Sequence, residues 1–250
     1  MIASLPMYDW PELRPQTDAM WQVFRQKFAA SGFQPPSSLS RSDDESEGWL
    51  HPALFFSQTC GYPFITRLEG KVQLLGTPHF DAEGWIGPNY SSAVILRKDF
   101  DLSSLEESRP VKFAYNSPDS LSGFRCLSPL VGNPERWFER SIKSGGHRNS
   151  ALMVSQGQAD IAAIDSLCWH LFKRVEPTSA QKLRILQWTP PLPGLPYITN
   201  LSWSKKDLHK LREAIGQAVI ELASSNLTPD IPLVGLSALE PAVYQSIKSL

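Results

Sequence analysis

Ser144-Gly145-Gly146-His147-Arg148-Asn149-Ser150-Ala151, followed by Ala159-Asp160-Ile161-Ala162-Ala163-Ile164-Asp165-Ser166, is the stretch from which the fold is read. The first part is a glycine-rich turn that runs into a helix expected over Arg148–Gln158. The second is an apolar strand, Ile161–Ile164, that ends in an acid and restarts as a helix over Ser166–Lys173. Upstream, Lys112–Tyr115 reads as a strand, Ser120–Leu127 as a turn into a helix, and Trp137–Ile142 as a strand. Downstream, Leu183–Trp188 is a further strand. Strands alternating with helices at this spacing predict an α/β unit around a mostly parallel sheet.

The flanks extend this pattern. Ile2-Ala3-Ser4-Leu5 reads as a strand from the start of the chain. Met20, Trp21, Phe24 and Phe28 recur at helical spacing and predict a helix over Thr17–Ala30, with Gly32 where a C-terminal cap belongs. A polar loop with the acidic run Asp43-Asp44-Glu45 follows. Leu54-Phe55-Phe56, Val72–Leu75 and Val94–Leu96 are short apolar elements. Leu208, Leu211, Ile215, Val219 and Leu222 share one face of a helix over Lys205–Ala223. Two Pro/Gly-rich segments, around Gly87-Pro88 and over Pro190–Pro196, bracket the regular α/β block. The expected organisation is therefore one lobe of residues 1–92 plus 190–250 and an inserted lobe of residues 93–189.

Composition narrows the function. The 250 residues are 42% hydrophobic and 20% charged, with 24 basic against 25 acidic groups. A net charge of −1 argues against a general nucleic-acid binder, which carries a basic excess. No apolar run approaches the ~18 residues of a membrane span, so direct membrane insertion is not expected. Cys60, Cys126 and Cys168 have no metal or CxxC spacing and read as reduced thiols. His51, His79, His170 and His209 show no metal spacing either, and no cofactor is implied.

Three segments carry candidate chemistry. Gly145-Gly146 lets successive amides curl into one concavity ahead of a helix, whose free amides and dipole favour an anion. His147 stands at its mouth, able to donate to an oxyanion. Asn116 to Phe124 is a second strand-to-helix turn, with hydroxyls on Ser120 and Ser122. Asp165 ends the third strand, placed to cap the next helix or to accept from a ligand hydroxyl or ammonium. In a parallel sheet all three turns leave at the carboxyl edge, where open α/β sheets bind ligands. A hydrolase built from Ser120, His147 and Asp165 is disfavoured, since no G-x-S-x-G elbow is present.

The ordered motifs Ser4-Leu5-Pro6-Met7-Tyr8, Asp119-Ser120-Leu121-Ser122-Gly123-Phe124, Ser144-Gly145-Gly146-His147 and Ala159 to Asp165 resemble the phosphate/phosphite/phosphonate-type solute-binding proteins of ABC transporters. The resemblance implies an α/β, two-lobed type II periplasmic-binding-protein-like fold with a ligand cleft between the lobes. It implies a non-enzymatic protein that captures a small phosphate- or phosphonate-like anion and is linked to ABC-type transport, with a transporter membrane component as partner. Ser120, Ser122, Gly146 and His147 would meet the phosphonyl oxygens, Asp165 the ligand's other end, and Tyr8, Tyr62 and Tyr90 of the first lobe the opposite wall. Two departures stand out. Leu121 occupies the Thr position of the family's Ser-Thr-Ser-Gly turn, removing a donor worth about 1.5–3 kcal/mol to a charged ligand. No export leader is visible. The protein is expected to be periplasmic if a leader was removed and cytoplasmic if the chain as written is complete. The alternatives on the same fold are an enzyme for a small anionic metabolite and a cytosolic ligand sensor.

Overall fold

The computed structural model describes residues 1–41, 48–108 and 110–250. The expected acidic run Asp43-Asp44-Glu45 lies outside them. The chain divides into two compact units, one of Met1–Asp81 with Pro193–Lys248, the other of Ala82–Leu192 with Ser249–Leu250. The extents differ from the sequence-based lobes. Residues 82–92 group with the second unit, because Trp85–Ile86 and Asn89–Tyr90 form a hairpin leading directly into its strand Ser92–Arg97.

The first unit is a five-stranded sheet in the order Ile2–Ser4, Leu54–Gln58, Tyr197–Thr199, Gln73–Phe80, Leu233–Ser237. Only its first pair is parallel. The helix Arg14–Ala30 begins three residues earlier than its apolar face suggests, because Pro15 fits the first turn of a helix. Gly32, at φ +90°, ends it as expected. Its apolar stripe is buried against the sheet. Trp21 and Phe24 lie 6.0 and 5.3 Å from Phe56, and Phe28 lies 5.1 Å from Phe55. The long helix Lys205–Ser224 buries all five of its predicted apolar residues. Ser204 caps it, accepting from Asp207 N–H at 3.1 Å and donating to the Asp207 carboxylate at 2.6 Å. Ser204→Ala should cost about 1 kcal/mol in urea unfolding. An unchanged midpoint would show that this helix end is held by packing alone.

The second unit has its own sheet, in the order Leu183–Trp188, Ser92–Arg97, Ile161–Asp165, Lys112–Tyr115, Arg140–Lys143. The last two pairings are parallel and the first two antiparallel, so the sheet is mixed rather than mostly parallel. The cause is chain routing. The strand that brings the chain into the unit and the one that takes it out lie side by side in opposite directions. The core on one face centres on Phe113, fully buried and stacked 4.6 Å from Phe138.

Two local expectations need correction. No regular α-helix starts at Ser120. A turn through Phe124 gives way to a 3-10 turn, Arg125–Leu127, and a four-residue helix, Ser128–Val131. Trp137 does not begin a strand either. It closes a short helix, Pro134–Trp137, started by Pro134 and capped by Asn133 Oδ1 accepting from Glu135 N–H at 2.9 Å. The strand is Arg140–Lys143, set by its register opposite Lys112–Tyr115.

Candidate functional site

Lys112–Tyr115, Arg140–Lys143 and Ile161–Asp165 run parallel, so the turns that follow them emerge at one edge of the second unit. Ser92 pairs with Asp165 across the antiparallel neighbour, which brings Tyr90 and Ser92 to that edge as well. Two of the turns are fastened together. Ser144 N–H donates to Tyr115 O at 2.8 Å, and Gly145 N–H to Asn116 O at 3.1 Å. Gly145 sits at φ +86°, a conformation that costs a β-carbon residue but not glycine.

This fastening changes the expected anion nest. The Gly145 amide is committed to Asn116, and the Gly146 amide points to Ser144 Oγ at 3.3 Å. Gly146 serves as the extended N-cap of the helix His147–Ser155. The first bond of the helical ladder runs from Ser150 N–H to Gly146 O at 2.9 Å. The amides of His147, Arg148 and Asn149 precede that ladder and have no intrahelical carbonyl. The donors of this turn therefore lie one step further along the chain than the glycines suggest.

His147 lies 2.7 Å through Nε2 from Ser122 Oγ, while Asp165 N–H approaches its Nδ1 at 3.4 Å. With the proton on Nε2 the ring donates to Ser122 Oγ and Nδ1 accepts from Asp165 N–H; with the proton on Nδ1, Ser122 donates to the ring. In the first tautomer the Ser122 oxygen is occupied and its own proton is directed elsewhere. Ser120 follows the same logic, its Oγ accepting from Gly123 N–H at 3.0 Å. The Ser120 proton, and in the first tautomer that of Ser122, is therefore left without a protein acceptor among the described residues. Arg148, the cation in the first helical turn, pairs with Glu176 at 2.5 Å.

Burial pushes the His147 imidazole from 6.5 down to about 3, outweighing its hydrogen bonding with the Ala163 backbone. The ring is neutral at physiological pH. The neutral ring bonds Ser122 Oγ at 2.7 Å, and an affinity that rides on imidazolium formation is not expected. The unfolded chain takes up a proton at this site below pH about 6.5 and the folded chain only near 3. Stability should therefore fall as pH drops across that window. Melting curves between pH 7.5 and 4 should show a shallower decline for His147→Gln than for the parent. Identical slopes would contradict a neutral His147.

Asp165 is 1% exposed, and its carboxylate accepts from Cys168 N–H at 3.0 Å, capping the helix Ser166–Val175. Its link to His147 runs through its backbone amide. A Ser-His-Asp triad needs the carboxylate on Nδ1–H and the nucleophile on Nε2, and Ser120 is not the serine bonded to the ring. Burial and Asp165 hold the Cys168 thiol well above its ordinary value, so it is no thiolate nucleophile. Among the described residues no cluster of His, Cys, Asp or Glu suits a metal ion, and no helix is long and apolar enough to cross a membrane.

The remaining aromatics divide between the units. Tyr90 is 2% exposed, stacks 5.4 Å from Trp85 and belongs to the second unit rather than to the first lobe. Tyr8 and Tyr62 belong to the first unit. Tyr8 is buried edge-on against Phe80 at 5.5 Å, and Tyr62 is half-buried on the helix Gly61–Thr66. The first unit also holds a cavity of about 150 Å³ beside Asp9 and Arg41. Arg41 is committed there, bonding Asp9 at 2.6 Å and Asp18 at 2.9 Å. Sequence reading missed Asn116, Ser92, Ser166 and Thr189 at the second unit's edge. Thr189 Oγ1 accepts from Ser92 N–H at 2.9 Å. Ser92 Oγ and Ser166 Oγ are buried without a hydrogen-bond partner. The only sequence signal for them is polar residues abutting apolar strands.

Solved structures share the fold. A binding component of an ABC phosphonate transporter from Pseudomonas aeruginosa superposes with a TM-score of 0.75 at 18% identity, over 99% of this chain and 84% of that one. A protein from Prochlorococcus marinus in complex with methylphosphonate gives 0.75 at 13% identity, over 99% and 95%. The Phosphonates-binding periplasmic protein of Escherichia coli K12 is 28% identical over 130 residues, 48% of this chain. That match spans 38% of the relative's length. The family model described as ABC transporter, phosphonate, periplasmic substrate-binding protein matches residues 54–244, and the chain belongs to that family. The family is one of substrate-binding proteins, not enzymes.

Proposed function

We propose that this chain captures a small phosphoryl oxyanion, a phosphonate or phosphate, and delivers it to the membrane component of an ABC-type importer. One observation carries the ligand class. Ser120, Ser122 and the start of the helix His147–Ser155 converge on one sheet edge, with Ser120 Oγ accepting from Gly123 N–H at 3.0 Å and Ser122 Oγ 2.7 Å from His147 Nε2. Their protons are the groups an oxyanion takes. Neutral donors suit a ligand that must be released, because they bind an anion without a full ion pair.

A thermal-shift series with inorganic phosphate, methylphosphonate, sulfate and acetate tests the proposal. A ligand that binds only the folded chain stabilises it by about 2.7 kcal/mol at a hundredfold excess over Kd. Phosphate or methylphosphonate should raise the melting temperature by several degrees and acetate should not. No response to any of the four would remove the anion reading.

A further inference from the structure

Ser120 and Ser122 sit on a turn that no regular element supports. Residues 117–123 belong to neither a helix nor a strand, and Pro118 and Asp119 are exposed. Without a helical or sheet ladder, such a turn keeps its shape through the individual bonds made to its backbone. Arg125 makes several of them. Its backbone N–H donates to Ser120 O at 3.0 Å. Its Nε donates to Pro118 O, seven residues back, at 2.9 Å. Its Nη1 donates to Leu250 O at 3.4 Å, and Ser128 Oγ donates to that same oxygen at 3.2 Å. The guanidinium lies 5.4 Å from the centre of the buried Phe124 ring. One residue thus grips the hydroxyl turn twice, at Pro118 through its side chain and at Ser120 through its backbone.

The grip bears on the hydroxyls. Gly123 N–H donates to Ser120 Oγ at 3.0 Å, and a β-carbon on Gly123 would lie 3.0 Å from that same atom. The turn is wound closely enough that slack at Pro118 moves Ser120 against Gly123 and re-aims its hydroxyl. A guanidinium suits the task, because its rigid fork serves two separate carbonyls at once, whereas an ammonium is a point charge on a flexible stem. Resting on the anion reading above, we propose that Arg125 is a positioning residue of the anion site. It acts through the Pro118 and Ser120 carbonyls, holding Ser120 and Ser122 in place for a phosphoryl anion, rather than by contact with the ligand.

The test is calorimetric titration of the parent, Arg125→Ala and Arg125→Lys with inorganic phosphate and methylphosphonate, joined to amide hydrogen exchange of the ligand-free chains. Arg125→Ala should bind whichever anion the parent binds about tenfold more weakly. Its Gly123 amide should exchange faster, while the amides of Ile161–Asp165 keep the parent's protection. Arg125→Lys keeps the charge without the fork and should recover only part of the affinity. The alanine loss should persist at about 0.5 M salt, where exposed charges are screened. A loss that vanishes in that salt, or a lysine variant that binds as the parent does, assigns the effect to charge and overturns the positioning role. An alanine variant within threefold of the parent, or an unchanged Gly123 amide, overturns it too. So does faster exchange that extends equally to Ile161–Asp165, the mark of a merely structural residue. In all of these the parent still binds. A parent that binds neither anion overturns the anion reading and this proposal with it.

Discussion

Ser122→Ala should lower affinity for inorganic phosphate or methylphosphonate at least tenfold, and His147→Ala should lower it roughly a hundredfold. The first change deletes one hydroxyl donor. The second deletes the ring nitrogen 2.7 Å from the Ser122 oxygen, and it opens space beside the Asp165 amide. The hydroxyl that remains is then free to rotate away from the ligand. His147→Gln, which keeps an N–H donor on a neutral side chain, should recover part of the loss. Recovery by glutamine separates a positioning role from mere filling of space. Equal affinities for the parent and both alanine variants, with all three folded by circular dichroism, would show that the pair does not serve the ligand.

Phe113→Ala should carry the largest stability cost, about 3–5 kcal/mol. Phe113 has no exposed surface, and its ring contacts Phe138 at 4.6 Å, Tyr115 at 5.9 Å and Phe124 at 6.2 Å. Tyr115 precedes Asn116, and Phe124 closes the Ser120 turn. The truncation therefore removes the platform under the site as well as apolar burial. Domains are stable by only about 5–15 kcal/mol, so the loss is a large share of the total. Urea unfolding followed at 222 nm should show the shift, and the thermal response to phosphate should weaken with it. A cost below about 1 kcal/mol would mean that the surrounding rings collapse into the vacated space.

The legible part of this chain was its apolar pattern. Met20, Trp21, Phe24 and Phe28, and the five-residue stripe from Leu208 to Leu222, predict helices that the structure contains, with every one of those residues buried. Ile161–Asp165 and Lys112–Tyr115 are strands for the same reason. Strand direction is a different matter. Ser92–Arg97 and Leu183–Trp188 are short runs whose side chains do not encode which way a neighbour runs, so the antiparallel half of the sheet was invisible. The Pro134–Trp137 helix was missed because four residues show no periodicity, although Asn133-Pro134 is a start signal.

The site was legible as a set of turns and not as a hydrogen-bond network. Gly145-Gly146 marks a tight turn from sequence, but the destination of each amide depends on Asn116, a residue of another strand. The charge of His147 depends on desolvation in the fold and on its contacts with the Ala163 and Asp165 backbone. Asn116, Ser92 and Ser166 look like ordinary polar residues in the chain. Only in the fold do their side-chain oxygens lack partners.

The most direct test of the central claim is a titration of the ¹⁵N-labelled chain with inorganic phosphate, followed by amide chemical shifts. Binding at the edge described here should move Ser120, Ser122, Gly123, His147, Arg148 and Asn149 first and furthest, with a common saturation curve. Shifts centred instead on Asp9, Arg14 and Arg41 around the first unit's cavity, with those six amides unmoved, would contradict it.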